Sequence, residues 1–381
     1  MVYREIDWSK SDSNWLVGWS LKESKSPIVI GFLSIQLLTA SRAVLLLFYF
    51  RLCMQTVLLL LISIIIAVYL NSLFQTNMAA LRALKATNSE FSMLGKTAVV
   101  VGGTSGIGFG LAKRFAVAGA TVTIVGRSER GIVQQLSSLS PDGTVPTHSF
   151  VPVNAYLLSG VQTAIDTITS THDKVDYLVQ SQGMATIQGF TPSAEEGLDQ
   201  KLTLHVYSRA SFARGLQPLL ALSEDPRVLS VLSAGIHSPY TNYKTDPELS
   251  LGGYSIKNAA DSAGFYNDIL ADGFSKQFPG TTFMHAAPGF VSTRWGTEMP
   301  APIRWCVRAL QVFGKSKEDC AEYMFKGLTQ SKSGGFVLLN EYGIQINKVT
   351  SLHEEAKEYV FNHIMQIIDG GKAVAQPVSK Q

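Results

Sequence analysis

The chain has 381 residues, 46% of them apolar and 16% charged, with a net charge of +3. That length exceeds one ordinary domain of roughly 100–200 residues, and so low a charge density points to a membrane segment. The small net charge and the lack of a basic run argue against a nucleic-acid partner.

The apolar excess lies at the front. Residues Val57–Leu70 read VLLLLISIIIAVYL, and extension to Leu52 gives 19 residues, enough to cross a bilayer core as a helix. A second apolar stretch, Pro27–Phe50, is interrupted only by Arg42, and Arg51 separates the two. One reading is a single span, Leu52–Leu70, behind an interfacial segment; the other is a helical hairpin dipping into one leaflet. Trp8, Trp15 and Trp19 suit a headgroup region, or equally an irregular tail. Met78 would open a plausible soluble chain of its own. Arg42 and Arg51 balance Arg82 and Lys85, so charge does not set the orientation. Cys53, Cys306 and Cys320 form no disulfide or zinc pattern, and there is no Asn-x-Ser/Thr acceptor. Both features fit a main domain facing a reducing compartment such as the cytosol.

From Lys96 the texture changes. Apolar β-rich runs occur at Thr97–Val101, Thr121–Val125, Ser149–Val153, Asp176–Val179, Val228–Leu232, Thr281–His285 and Phe336–Leu339, with helical patterns between most of them. This alternation predicts an α/β fold, a doubly wound parallel sheet of about seven strands.

The first run leads into Gly102-Gly103-Thr104-Ser105-Gly106-Ile107-Gly108 and a helical pattern ending near Gly119. Gly102 allows the sharp turn off the strand, Gly106 lets backbone approach a pyrophosphate, and Gly108 lets the helix pack on the sheet. The helix N-terminus adds N–H groups and a positive dipole end. Strand, glycine turn and helix in that order make a Rossmann-type nucleotide site the expectation. After the second run come Arg127 and Ser128, where an acidic residue would favour NAD; a guanidinium suits the 2′-phosphate of NADP(H) instead.

The glycine spacing, together with Pro288-Gly289-Phe290-Val291-Ser292-Thr293 after the sixth strand, resembles the short-chain dehydrogenase/reductase family over about Lys96–Gly343. The resemblance implies that Pro288, Gly289, Val291 and Thr293 lie beside the nicotinamide. It implies a catalytic serine at Ser233 and a catalytic tyrosine at Tyr254. The family's YxxxK lysine position holds Asn258, and Lys257 falls one residue early, as a displaced catalytic lysine or a surface one. The family's NNAG reads Gln180-Ser181-Gln182-Gly183, retaining Gly183; its adenine-side Asp-apolar pair reads Asn154-Ala155; its relay asparagine falls at His205. Tyr240 and Lys244 also have YxxxK spacing, but Thr245-Asp246-Pro247 would stop the required helix.

In the family a hydride moves between nicotinamide and a carbonyl or alcohol carbon, with tyrosine handling the proton. A lysine cation near that tyrosine is worth about 4 kcal/mol at an effective dielectric near 20. Without it the tyrosine stays neutral, which favours carbonyl reduction. Trp295, Met299 and Trp305 are expected either as an apolar lid over a lipid-like, steroid-like or terpenoid carbonyl or alcohol substrate, or as a loop packed on the core. The expected division is a tail and apolar segment (1–51), a transmembrane helix (52–70), a linker (71–95), the NADP-binding domain (96–345) and a C-terminal helix and tail (346–381). The expected setting is a membrane, with the endoplasmic reticulum a candidate. A homo-oligomer is a further partner expectation; a soluble enzyme of the same fold and a catalytically impaired NADP(H)-binding sensor or scaffold stand as alternatives.

Overall fold

All seven expected runs become strands of one sheet. The computed structural model describes residues 27–140, 146–293, 296–297 and 299–370. In chain order the strands are β1 (Thr97–Val101), β2 (Thr121–Gly126), β3 (Ser149–Pro152), β4 (Tyr177–Gln180), β5 (Arg227–Val231), β6 (Thr282–Ala286), β7 (Val291–Ser292), β8 (Lys315–Ser316), β9 (Gly335–Leu339) and β10 (Gln345–Ile346). Eight of them form one sheet in the order β10-β9-β6-β5-β4-β1-β2-β3. It is parallel throughout except for β10, which runs antiparallel along β9. The remaining two, β7 and β8, pair with each other. The central strands are buried along almost their whole length, as in a sheet covered on both faces.

One face carries the helices Gly106–Val117 and Lys317–Gln330, and their core includes Leu111, Phe115 and Phe325. The other carries Leu158–Thr171, Ser208–Gly215, Ile256–Gln277 and Ser351–Ile368 over a core that includes Phe212, Phe265 and Ile364. Strand order reverses between β1 and β4. Ligands of such sheets bind at the strand C-termini beside this reversal.

The chain divides into two units, Met1–Asn77 and Met78–Gln381. The helix Pro27–Ser89 begins in the first and passes Arg51 without a break, so the hairpin is not formed. Among the described residues one helical stretch, Val44–Ile66, is long and apolar enough to cross a membrane. It includes Val44–Phe50, ahead of the expected Leu52, because that stretch is itself apolar and a long arginine stem can carry its charge out of an apolar layer. Trp8, Trp15, Trp19, Trp295 and the last eleven residues lie outside the described residues.

The expected linker 71–95 needs correcting. Its residues stay helical to Ser89, and Leu81, Asn88 and Met93 are buried. Asn88 Nδ2 donates to the Glu322 carbonyl at 3.0 Å and to its carboxylate at 2.7 Å, and Arg114 donates to the Asn88 carbonyl. Good helix formers and these polar ties make 78–95 part of the folded body.

Candidate active site

The glycine turn sits at the C-terminal end of β1, against the end of β4. Gly102 has φ +76°, and a Cβ there would stand 2.5 Å from the Gln182 nitrogen. Only glycine fits that turn without strain. A Cβ on Gly108 would stand 2.5 Å from the Gly102 carbonyl oxygen, so the first helical turn lies directly on the strand end. Gly106, at φ +58°, faces more open space: its nearest neighbour would be the Thr293 methyl at 3.6 Å. The turn therefore has one open side, bordered by the segment that follows Pro288-Gly289. Thr104 packs on Gly126, the last residue of β2; Ser105 is exposed and Ile107 half-buried beside them. Gly289 is fixed by Glu341, whose carboxylate would overlap any Cβ, and Val291 is buried.

Beyond β2 and β3 a cleft of about 530 Å³ is lined by Arg127, Pro152, Val153, Asn154, Gly160 and Thr163. Arg127 and Asn154, far apart in sequence, meet there. Ser128 is exposed at its edge of the chain. The acid two residues after Arg127 is turned aside: Glu129 accepts from the Gly131 N–H at 2.7 Å and the Val133 N–H at 2.9 Å. Those backbone bonds hold its carboxyl below the usual range. A glycine cradle, helix N–H groups without intrahelical partners and a guanidinium in the adjoining cleft fit a dinucleotide.

Each of the three expected catalytic side chains has its own surroundings. Ser233 Oγ is sealed from solvent without a hydrogen-bond partner. It abuts Gly264, whose Cβ would stand 2.5 Å from it. Gly264 is eight residues into the helix Ile256–Gln277, ~12 Å along its axis from the start. Tyr254 precedes that helix. Its hydroxyl donates to the Gln188 carbonyl at 3.2 Å, its ring packs edge-on against Phe190, and the Lys201 ammonium lies 4.9 Å over the ring face. Burial and the nearby Asp199 carboxylate push its phenol up to about 12.

Lys257 is corrected by its surroundings. It is exposed and pairs with Asp261 one turn along the same helix. Ser255 caps the helix by accepting from the Asn258 N–H at 2.9 Å, which makes Lys257 the second helical residue and turns it outward. Asn258 folds back, its Nδ2 donating to the Gly253 carbonyl at 2.7 Å. Tyr240 begins no helix; its hydroxyl donates to the Asp246 carbonyl at 2.9 Å. His205 lies in a π-helical turn, Thr203–Tyr207, next to Gly183. Its Nε2 accepts from the Met184 N–H at 3.1 Å. Burial, then Arg209 and Lys201, lower its pKa to about 3, so it is a satisfied neutral histidine. Trp305, expected either in a lid or in a loop packed on the core, is 73% exposed.

Residues 96–244 match the short chain dehydrogenase family. An oxidoreductase of Emericella nidulans, AN1596, is 30% identical over 233 residues, covering 59% of this chain and 68% of that protein. The chain belongs to the short-chain dehydrogenase/reductase family. It is thereby an oxidoreductase of a family that uses a nicotinamide dinucleotide. An NmrA-like family domain-containing oxidoreductase, notO, of an Aspergillus species is 27% identical over 225 residues, covering 57% of this chain and 67% of that one. A solved structure of an uncharacterised protein from Mycobacterium paratuberculosis shares the fold with a TM-score of 0.54 at 17% identity, covering 74% of this chain and 95% of that one.

Within this short-chain dehydrogenase fold, sequence reasoning missed two buried polar groups. Arg209 is fully buried and joins the ends of β4 and β5, donating to the Gln182 carbonyl at 2.6 Å, Ser230 Oγ at 2.5 Å and the Val231 carbonyl at 3.2 Å. Burial lowers its pKa to about 9. The second group surrounds Asp268. His285 Nδ1 faces one carboxylate oxygen at 2.5 Å while its Nε2 accepts from the Ser233 N–H at 3.0 Å. His237 Nε2 lies 3.2 Å from the other oxygen and its Nδ1 2.9 Å from the Ser233 carbonyl. The Ser233 carbonyl and the Asp268 carboxylate, both acceptors, face the two ring nitrogens and favour the imidazolium form. Burial opposes that charge, but Asp268 and the Ser233 carbonyl outweigh it and raise the pKa. His353 Nε2 is 3.4 Å from the same oxygen, and its Nδ1 accepts from the Thr350 N–H at 3.1 Å. With Nδ1 accepting, the His353 ring proton sits on Nε2 and faces the Asp268 carboxylate.

Proposed function

We propose that this chain is a membrane-attached, NADP(H)-dependent reductase that converts a carbonyl to an alcohol on an apolar substrate. The observation that carries the reading is Arg127. One residue past Gly126, on which Thr104 of the glycine turn packs, it lines the cleft beyond β2 and β3 together with Asn154, while Glu129 is tied to backbone N–H groups. Gly102, Thr104, Ser105, Gly106, Ile107 and Gly108 would hold the pyrophosphate. Arg127 and Ser128 would take the 2′-phosphate and Asn154 the adenine side. Gly183, Pro288, Gly289, Val291 and Thr293 would border the nicotinamide, which when bound supplies the hydride. A phenol with a pKa near 12 is a proton donor at neutral pH and a poor base, so Tyr254 supports reduction over alcohol oxidation. The span Val44–Ile66 and the apolar residues after Pro288 favour a substrate dissolved in lipid.

The sealed Ser233 hydroxyl and the outward Lys257 favour a second reading, an NADP(H)-binding protein that performs no turnover. One experiment separates the two: NADPH consumption by the full chain in lipid vesicles, against a panel of apolar ketones and aldehydes, for wild type and Tyr254→Phe. The reductase reading expects turnover of at least one carbonyl, abolished in Tyr254→Phe with NADPH binding retained. Equal rates for the two proteins across the panel, with NADPH bound by both, would support the second reading.

A further inference from the structure

The excursion between β7 and β8 contains the helix Ala301–Leu310 and the short turn Gln311–Phe313. Its amphipathicity is inverted. The polar side faces the protein: Arg304 and Arg308 are half-buried and Gln311 is buried. Arg308 donates to the Thr293 carbonyl, to Gln311 Oε1 at 2.6 Å and to Thr297 Oγ1 at 3.1 Å, and Arg304 donates to the Thr297 carbonyl at 3.3 Å. Every exposed residue of 301–313 is apolar, including Ile303, Trp305, Cys306, Leu310, Val312 and Phe313. Trp305, Val312 and Phe313 are 73%, 81% and 86% exposed. A surface helix of a soluble protein buries that side, so this face is built for a partner.

We propose that residues 301–313 form an interfacial helix that rests its apolar face on a lipid bilayer. This rests on the membrane attachment proposed above: the same chain brings a bilayer to this unit through Val44–Ile66 and holds it at high effective concentration. The segment is too short to span a bilayer but of a length suited to lying in its surface, with the apolar face roughly 5–10 Å deep. Trp305 is of the residue type that settles at the headgroup level. The docked helix is tied to the cofactor side of the site, because Arg308 holds the carbonyl of Thr293, the residue facing Gly106. An apolar substrate would leave the lipid beside the segment that borders the nicotinamide.

The cysteines provide the test. Cys306 lies on the proposed docking face and Cys53 in the apolar span; both are exposed, whereas burial pushes the Cys320 thiol up to about 12 and keeps it unreactive. Full-length Cys53→Ser, labelled at Cys306 with nitrobenzoxadiazole maleimide, is reconstituted in phosphatidylcholine–phosphatidylserine vesicles. Full-length Cys306→Ser, labelled at Cys53, reports on the span. The expected result is that shallow doxyl-phosphatidylcholine removes most of the Cys306 emission, aqueous iodide removes little, and Val312→Asp with Phe313→Asp reverses both while NADPH affinity is unchanged. If Cys53 is quenched by doxyl lipid and Cys306 only by iodide, docking is overturned and the span stands. If neither label responds to doxyl lipid, the membrane reading falls and docking with it. A Cys306 label shielded from iodide yet blind to doxyl lipid would overturn docking in favour of contact with another protein chain.

Discussion

Replacing Gly106 by alanine separates binding from folding. Gly106 has φ +58°, and a left-handed conformation costs a non-glycine residue roughly 1–2 kcal/mol. The new Cβ would meet nothing closer than the Thr293 methyl at 3.6 Å, an ordinary contact, so packing adds no further cost. A loss of this size lowers Tm by only a few degrees, at ~2–4 °C per kcal/mol for a domain of about 150–250 residues. The same Cβ occupies the open side of the turn, where the pyrophosphate would approach the backbone, so NADPH affinity should fall at least ~10-fold, about 1.4 kcal/mol. Gly102→Ala is the contrast. It carries the same conformational cost at φ +76° and places its Cβ 2.5 Å from the Gln182 nitrogen, in backbone that cannot yield. Overpacking adds ~1–3 kcal/mol, so stability falls with binding. Thermal denaturation and NADPH fluorescence titration read the two quantities. If Gly106→Ala bound NADPH as tightly as wild type, the turn would not be the cofactor cradle.

Other substitutions probe the remaining assignments. Arg127→Ala should weaken NADPH and leave NADH affinity nearly unchanged, measured by titration with each; equal losses would remove Arg127 from the 2′-phosphate. Lys257→Ala should change stability by less than ~0.5 kcal/mol, as for an exposed i,i+4 pair, and leave both NADPH affinity and turnover intact; a collapse in turnover would restore Lys257 to the site. His237→Gln tests the imidazolium. With a folded pKa raised above 6.5, the stability that His237 contributes is full below that pH and is lost as pH rises through the folded value. The Tm difference between wild type and variant should therefore be larger at pH 6 than at pH 9, with Asp268, His285, His353 and Asp261 facing the ring in both proteins. A pH-independent difference would mean that His237 is neutral.

Much of this architecture is legible in the sequence because it is local. Seven strands announce themselves as short apolar runs, and the glycine turn as a fixed spacing between a strand and a helix. The catalytic set is harder to read, because it depends on where one helix begins. The Ser255 cap places that start after Tyr254, which sends Lys257 outward and sets Gly264 beside Ser233. No spacing rule reveals the Asp268 network, since its histidines at 237, 285 and 353 come from separate segments and meet only in the folded core. The helix at 301–313 shows its polar stripe plainly, with Arg304, Arg308 and Gln311 at helical intervals. Which side of such a stripe faces the body is a tertiary property, so the sequence leaves a lid and a loop packed on the core as alternatives, whereas Trp305 lies on an outward apolar face.

The proposed cofactor preference requires that the cleft beside Arg127 select a 2′-phosphorylated dinucleotide. Calorimetric titration of the full chain with NADPH and NADH tests it most directly. A charge-assisted hydrogen bond worth ~1.5–3 kcal/mol predicts NADPH binding at least ~10-fold more tightly than NADH. Equal affinities, or tighter NADH, would contradict the account.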